Sequence, residues 1–445
     1  MRRTNVLLVA ALVMFFSATV TYAEDFVRIG LNYPATGPYA VQGADQLRST
    51  NLAVEEINLS GGILGKKIIL VIRDTKSQPD LAAQNAMEMI EKEAVKMIFG
   101  GASSGVADSV GNVCQEKQII FMATLASANT ITRENAHRHT FRVCYNAWMG
   151  AKVLSSYLNK EYAGKKYFYI VSDYTWGWSS EESIRKFTKT EDKTLHKRIL
   201  TRFGGKKAEF EKAVWLAKMI KPDVLVLVLF GKEMSTAIKI ANGMGLKNKT
   251  QIVVPVLELG FAEESGPEVM ENVIGTSDWN WQVPYKYNYK RGKEFVEKFT
   301  KRYERYPCWG AATAYTNVYE YSQAVERAGS FESAGVIKAL ENHKFTLLKD
   351  EQMWRSFDHQ CVQSVYVVKC KPAIEVLKDR LKLDYFEVLD RFSGKDIVQN
   401  RLEWIKVRAE NSKSVSSPFC FSTAAQNNFP TIYPSRETKP VFSSG

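Results

Sequence analysis

From Asp25 onward the chain alternates between short apolar runs and amphipathic stretches, and that alternation confines it to one broad architecture. Phe26–Leu31 reads as a strand, and Gln42–Ser60 as a helix with Leu47, Leu52, Val54 and Ile57 on its apolar side. Gly61-Gly62 closes that helix with residues suited to a left-handed end. Lys67–Asp74 is a strand, Leu81–Glu91 a helix, Ala94–Phe99 a strand, Gly105–Gln115 a helix and Gln118–Met122 a strand. A second set follows: helix Met149–Lys160, strand Lys166–Val171, helices Ser179–Lys189 and Glu209–Ile220, and strand Asp223–Leu229. Such alternation through short connections requires parallel sheets covered by helices on both faces. A chain of 445 residues is too long for a single core, so two sets predict two α/β lobes.

The ends differ from this body. Arg2 and Arg3 precede the apolar run Val6–Phe16, and small and polar residues ending Thr21-Tyr22-Ala23 follow. That order predicts a secretory signal peptide over 1–23, cleaved after Ala23. The run is well short of the ~20 residues a spanning helix needs, so a soluble, periplasmic or otherwise extracytoplasmic protein is expected. Residues 411–445 carry Pro418, Pro430, Pro434 and Pro440 without apolar periodicity and predict a flexible C-terminal tail. Export places six cysteines in an oxidising compartment. A bridge between Cys361 and Cys370 across a short hairpin, or between Cys114 and Cys144, is a candidate; Cys308 and Cys420 have no evident partner. Lys and Arg exceed Asp and Glu by 12, but bases and acids interleave, as in residues 209–218 and 298–307. This predicts a solvated basic surface and no nucleic-acid partner.

In open parallel sheets, ligands bind beyond the carboxyl ends of the strands. Three such ends are equipped here: Gly100-Gly101-Ala102-Ser103-Ser104-Gly105, Thr124-Leu125-Ala126-Ser127-Ala128, and residues 172–179 with Trp176 and Trp178. Small residues let backbone N–H groups approach a ligand, and a helix N-terminus favours an anion. Any one loop is explained by helix capping; three converging loops predict a site. Gly101-Ala102-Ser103-Ser104-Gly105 has the letters of a G-x-S-x-G nucleophile elbow but no credible His partner, and a phosphate loop ending G-K-[ST] and C-x2-C or C-x2-H spacing are missing from the sequence. No catalytic residue, cofactor or metal is expected. His137-Arg138-His139 reads as an exposed turn, and Asp358-His359-Gln360 as hinge or local hydrogen bonding.

Residues 30–38 (GLNYPATGP), 53–58 (AVEEIN) and 61–67 (GGILGKK) form an ordered series. Asp74-Thr75 with Pro79, Gly100 with Ser103-Ser104, and residues 173–177 (DYTWG) continue it. Over about residues 25–405 the series resembles the branched-chain amino-acid (Leu/Ile/Val-like) extracytoplasmic solute-binding proteins of ABC importers. The resemblance implies the type I periplasmic-binding fold: two Rossmann-like lobes with parallel sheets, joined by three crossovers. Lobe I would comprise 24–145 and 278–357, and lobe II 146–277 and 358–410. It also implies a ligand carboxylate held at Ser104, with Ser103 beside it, and at Ser127, with the Leu125 carbonyl nearby. Aromatic walls fall on Trp176 and Phe230.

Relatives place a glutamate for the ligand ammonium directly after a proline; here Pro255 is followed by Val256-Leu257-Glu258. The two-residue delay keeps Glu258 on the same strand face but moves it about 6–7 Å along. Asp173 is a second candidate for that role. Trp148, Trp178, Trp279 and Trp281 are expected around the cleft and crossovers. The implied activity is capture of a small apolar or aromatic carboxylate, with or without an amino group, by hinge closure. A monomer delivering to a membrane ABC permease is expected. A ligand-sensing module for a membrane receptor is the alternative, and an exported α/β enzyme a distant third.

Overall fold

The computed structural model describes residues 25–413; the signal peptide and tail readings, and Cys420, lie outside or almost wholly outside them. The chain opens with β1 (Phe26–Tyr33), α1 (Ala40–Leu59), β2 (Lys67–Asp74), α2 (Pro79–Glu91), β3 (Met97–Gly100) and α3 (Ser104–Glu116). Strands β4 (Ile120–Ala123) and β5 (Thr140–Arg142) complete a five-stranded parallel sheet of order β2-β1-β3-β4-β5.

A second run follows with α4 (Ala147–Glu161), β6 (Tyr167–Ser172), α5 (Thr175–Thr188), β7 (Arg198–Thr201), α6 (Lys207–Ile220) and β8 (Val224–Val228). It continues through α7 (Gly231–Gly243), β9 (Gln251–Val254), α8 (Leu259–Ser265), α9 (Pro267–Met270) and β10 (Ile274–Ser277). The chain then returns toward the first sheet as α10 (Val283–Lys286), α11 (Lys290–Tyr303), α12 (Trp309–Ala328) and α13 (Ser333–Leu340). A small antiparallel sheet comes next, β11 (Lys344–Phe345), β12 (Gln352–Trp354) and β13 (Cys361–Val362). Finally β14 (Val365–Cys370), α14 (Ala373–Lys378), β15 (Phe386–Phe392), α15 (Gly394–Ile397) and α16 (Arg401–Glu410) end the described chain.

The second sheet has seven strands in the order β15-β14-β10-β9-β8-β6-β7. Its core is parallel, but β14 runs antiparallel to β10 and β15 antiparallel to β14, so one edge departs from the all-parallel expectation. An antiparallel edge is common on a doubly wound sheet, because a hairpin can extend it without a crossover helix. Every residue of β6 and β8 is buried, as continuous apolar runs in a sheet covered on both faces must be. Helix α12 lies along α1 and reaches the first sheet, where Asn317 Nδ2 donates to the Met122 carbonyl at 3.2 Å.

The chain passes between the two sheets three times: between β5 and α4, after β10, and between β13 and β14. Asp278 gathers all three crossings. Its Oδ2 accepts from Tyr145 N at 3.3 Å and from Gln363 Nε2 at 3.1 Å. Gln363 Nε2 also meets the Val143 carbonyl, and buried Lys349 Nζ donates to the carbonyls of Asp278 (2.6 Å) and Ser364 (2.8 Å). Burial pushes the Asp278 carboxyl up to about 6, and burial likewise lowers the Lys349 ammonium.

The candidate disulfides do not form. Cys114, Cys144, Cys308, Cys361 and Cys370 are all buried free thiols. Cys361 belongs to the small sheet and Cys370 to the far end of β14 in the second sheet, so the run between them is a crossing and not a hairpin. Residues 137–139 are also not an exposed turn: His139 is buried, and both histidines pack on α3 through Asn112 (2.7 Å) and Gln115 (3.1 Å). The Asp358-His359-Gln360 segment does make local bonds, to Arg355, to the Thr140 carbonyl and to Arg142.

Candidate ligand pocket

The carboxyl ends of β3, β4, β6 and β8 face one cleft, and the two halves of the molecule are shut across it. Asn129 N donates to Ser179 Oγ at 3.3 Å, and Asn129 Nδ2 to Ser183 Oγ at 3.0 Å. Arg305 pairs with Glu263 of the opposite half at 3.1 Å. Between these contacts lies a cavity of about 220 Å³, lined by Ala102, Ser104, Leu125, Ser127, Tyr174, Trp176, Phe230, Val256 and Trp309.

One wall is polar. Ser104 opens α3, whose first N–H groups have no intrahelical acceptor. Its Oγ accepts from Ala128 N at 3.1 Å, which leaves the hydroxyl proton free to donate into the cavity. Ser127 lines the same wall, its Oγ 4.0 Å from the Cys144 sulfur. The Leu125 side chain is also part of the lining. Ser103 is buried but is not among the lining residues; it is the N-cap of α3, and its carbonyl accepts from Ala107 N.

The facing walls are aromatic. Trp176 and Phe230 stand 6.2 Å apart between ring centres, and Phe230 meets Trp309 edge to face at 6.4 Å. Helix α5 begins at Thr175, four residues before the start expected from the sequence, which seats Trp176 in its first turn. Gly177 permits that turn, because a Cβ there would fall 1.9 Å from the Ser172 carbonyl oxygen. The lining contains no carboxylate, ammonium, guanidinium or imidazole. Tyr174 is its one titratable group, and burial raises that hydroxyl so that it stays protonated.

Glu258 is not among the lining residues. It caps α8, accepting from Gly260 N at 2.7 Å and from Gln42 Nε2 at 3.1 Å, and lines an adjoining cavity of about 280 Å³ with Trp279 and Trp281. Asp173 instead accepts from the Trp178 indole at 2.9 Å. Trp178 is half-exposed, and Trp148 packs on Phe187, so neither reaches the pocket. Trp309 had no signal near the three loops; it enters from α12, some 130 residues beyond the third. Ala102 and Tyr174 lie inside segments the sequence had already marked, and Val256 follows the proline used to place Glu258.

Residues 27–375 match the family model described as Periplasmic binding protein. The Leu/Ile/Val-binding protein homolog 7 of Brucella abortus is 26% identical over 349 residues, covering 75% of this chain and 85% of its own. A periplasmic binding protein from Burkholderia mallei superposes with TM-score 0.77 at 24% identity, over 85% of this chain and 98% of the other. A solute-binding protein of an ABC transporter from Rhodopseudomonas palustris, solved with 3,4-dihydroxybenzoic acid, gives TM-score 0.72 at 18% identity, over 83% and 98%. Two α/β halves crossed three times, a cleft at their strand ends and this match across most of the chain lead to one assignment: the chain belongs to the periplasmic binding protein family.

Proposed function

We propose that this protein is the receptor subunit of an ABC importer and captures a small carboxylate with an apolar or aromatic body. The leader over residues 1–23 would export it, and a membrane permease would receive the loaded, closed form. The observation that carries the reading is the division of the pocket: serine hydroxyls and a helix N-terminus on one wall, aromatic rings on the others, and no charged side chain between. A carboxylate head fits the first wall through charge-assisted hydrogen bonds, each contributing roughly 1.5–3 kcal/mol. An ammonium would find only aromatic faces and hydroxyls, since Glu258 is engaged by Gly260 N and Gln42. An acid without an amino group is therefore the reading the geometry favours. The relatives' names support the second reading, a branched-chain amino acid.

Isothermal titration with leucine, isoleucine, benzoate and 3,4-dihydroxybenzoate tests this. At least one of the two aromatic acids is expected to bind, and more tightly than either amino acid. The double variant Ser104→Ala/Ser127→Ala should weaken that binding by about tenfold or more while leaving the melting temperature of the free protein near wild type. Binding confined to polar amino acids or sugars, or an unchanged affinity in the double variant, would overturn it.

A further inference from the structure

Tyr39 is fully buried, yet it belongs to the loop before α1 and reaches out of its own half of the molecule. It enters a cage made by the opposite half. Its ring meets Phe230 edge to face at 5.1 Å and Phe203 at 5.6 Å. Its hydroxyl lies 3.0 Å from that of Tyr174, and Phe203 in turn packs on Tyr174 at 4.9 Å. The cage floor is Gly231, whose φ of +54° is the left-handed region. A Cβ at that position would lie 2.6 Å from the Tyr39 ring and 2.8 Å from the Pro38 carbonyl oxygen. Beside it, Lys232 N donates to the same Pro38 carbonyl at 3.4 Å.

Two of the three cage rings, Tyr174 and Phe230, are also walls of the ligand pocket. The two seats therefore share their partitions. Tyr39 can enter only when both rings stand where they enclose a solute, and once seated it holds them there. Tyr39 does not line the cavity, so it discriminates nothing directly. We propose that Tyr39 is an interlobe plug, a positioning residue that acts through Tyr174 and Phe230 to set how long a captured solute is retained. Its contacts form only on closure, so they oppose opening and leave docking on the serine wall unaffected.

The inference rests on the capture reading for its probes but not for its geometry, and the test separates the two. Spin labels at Leu59→Cys and Leu195→Cys, exposed positions on opposite halves, report the interlobe distance in a full-chain Cys420→Ser background. Stopped-flow with 3,4-dihydroxybenzoate and with leucine reports the rates. Tyr39→Ala is expected to raise the dissociation rate by about tenfold and to change the association rate by less than about twofold. It should also deplete the short-distance population, while Tyr39→Phe recovers most of both effects and the melting temperature of the solute-free protein stays near wild type. Gly231→Ala, which crowds the plug from the other side, should reproduce the faster release. An unchanged dissociation rate and distance distribution in Tyr39→Ala would overturn the plug. Should neither probe bind the wild type, the ligand reading fails alone, and equal solute-free distance distributions for wild type and Tyr39→Ala would overturn the plug by themselves.

Discussion

Glu258 is 1% exposed, with Oε2 held by Gly260 N and Gln42 while Oε1 has no hydrogen-bond partner. Burial raises its carboxyl, as expected where a charge has left water with incomplete compensation. An amide has the same shape and keeps an oxygen for the cap. Glu258→Gln is therefore expected to change the affinity for benzoate or 3,4-dihydroxybenzoate by less than about twofold, about 0.4 kcal/mol. A tenfold loss of leucine affinity in that variant, read by the same titration, would restore Glu258 as the ammonium contact. The loops that carry Ser104 and Ser127 were legible from the alternation of strands and helices, whereas the choice of those two serines within them came from the resemblance. The fate of Glu258 was not legible, because a two-residue offset decides between a pocket and a cap only once α8 and Gln42 are in place.

At the scale of elements, α12 shows what tertiary packing asks of a helix. It is enclosed along most of its length, and the enclosure takes in Glu320, which is fully buried and accepts from the Trp354 indole at 3.1 Å. Burial pushes this carboxyl up to about 7, against the opposing pull of Arg327. The folded value is thus raised above that of the unfolded chain. Below pH ~4 both states are protonated and the cost is absent. Between about 4.5 and 7 the unfolded chain releases the proton first, so folding loses free energy as pH rises, and the full cost is present above 7. Glu320→Gln should raise stability at pH 8 by on the order of 2 kcal/mol and leave it nearly unchanged at pH 4. Melting curves across that range check it; a gain independent of pH would mean the carboxylate is not the source. Helix α5 makes a different point. The sequence reading starts it at Ser179, whereas it begins at Thr175, with Gly177 packed so closely on the Ser172 carbonyl that no side chain would fit there.

For the whole molecule, the two halves are joined by three crossings and held by interactions other than disulfides among the described residues. A reductant should therefore leave the melting temperature within about 1 °C, since a bridge of the usual kind would be worth about 2–4 kcal/mol. A clear fall under dithiothreitol would show that a covalent link exists after all. The crossings converge on Asp278, whose uncharged form is favoured by burial and whose neighbours include Lys349, Gln363 and the Trp309 indole edge. Trp309 is also a pocket wall, so one side chain spans the distance from the pocket to the crossings.

What the sequence determined by itself was periodicity and its consequences: strands and helices in alternation, two sheets, and loops of small residues at the strand ends where a solute can bind. These are local properties, carried by neighbours a few positions apart. What only the tertiary structure decided was which side chains meet across large separations. Trp309 joined a pocket announced near residue 104, Tyr39 entered a cage built around residue 230, and the cysteines stayed apart although their spacing invited pairing. Contacts of that kind depend on how two halves close on each other, and a sequence read along its length carries no measure of that distance.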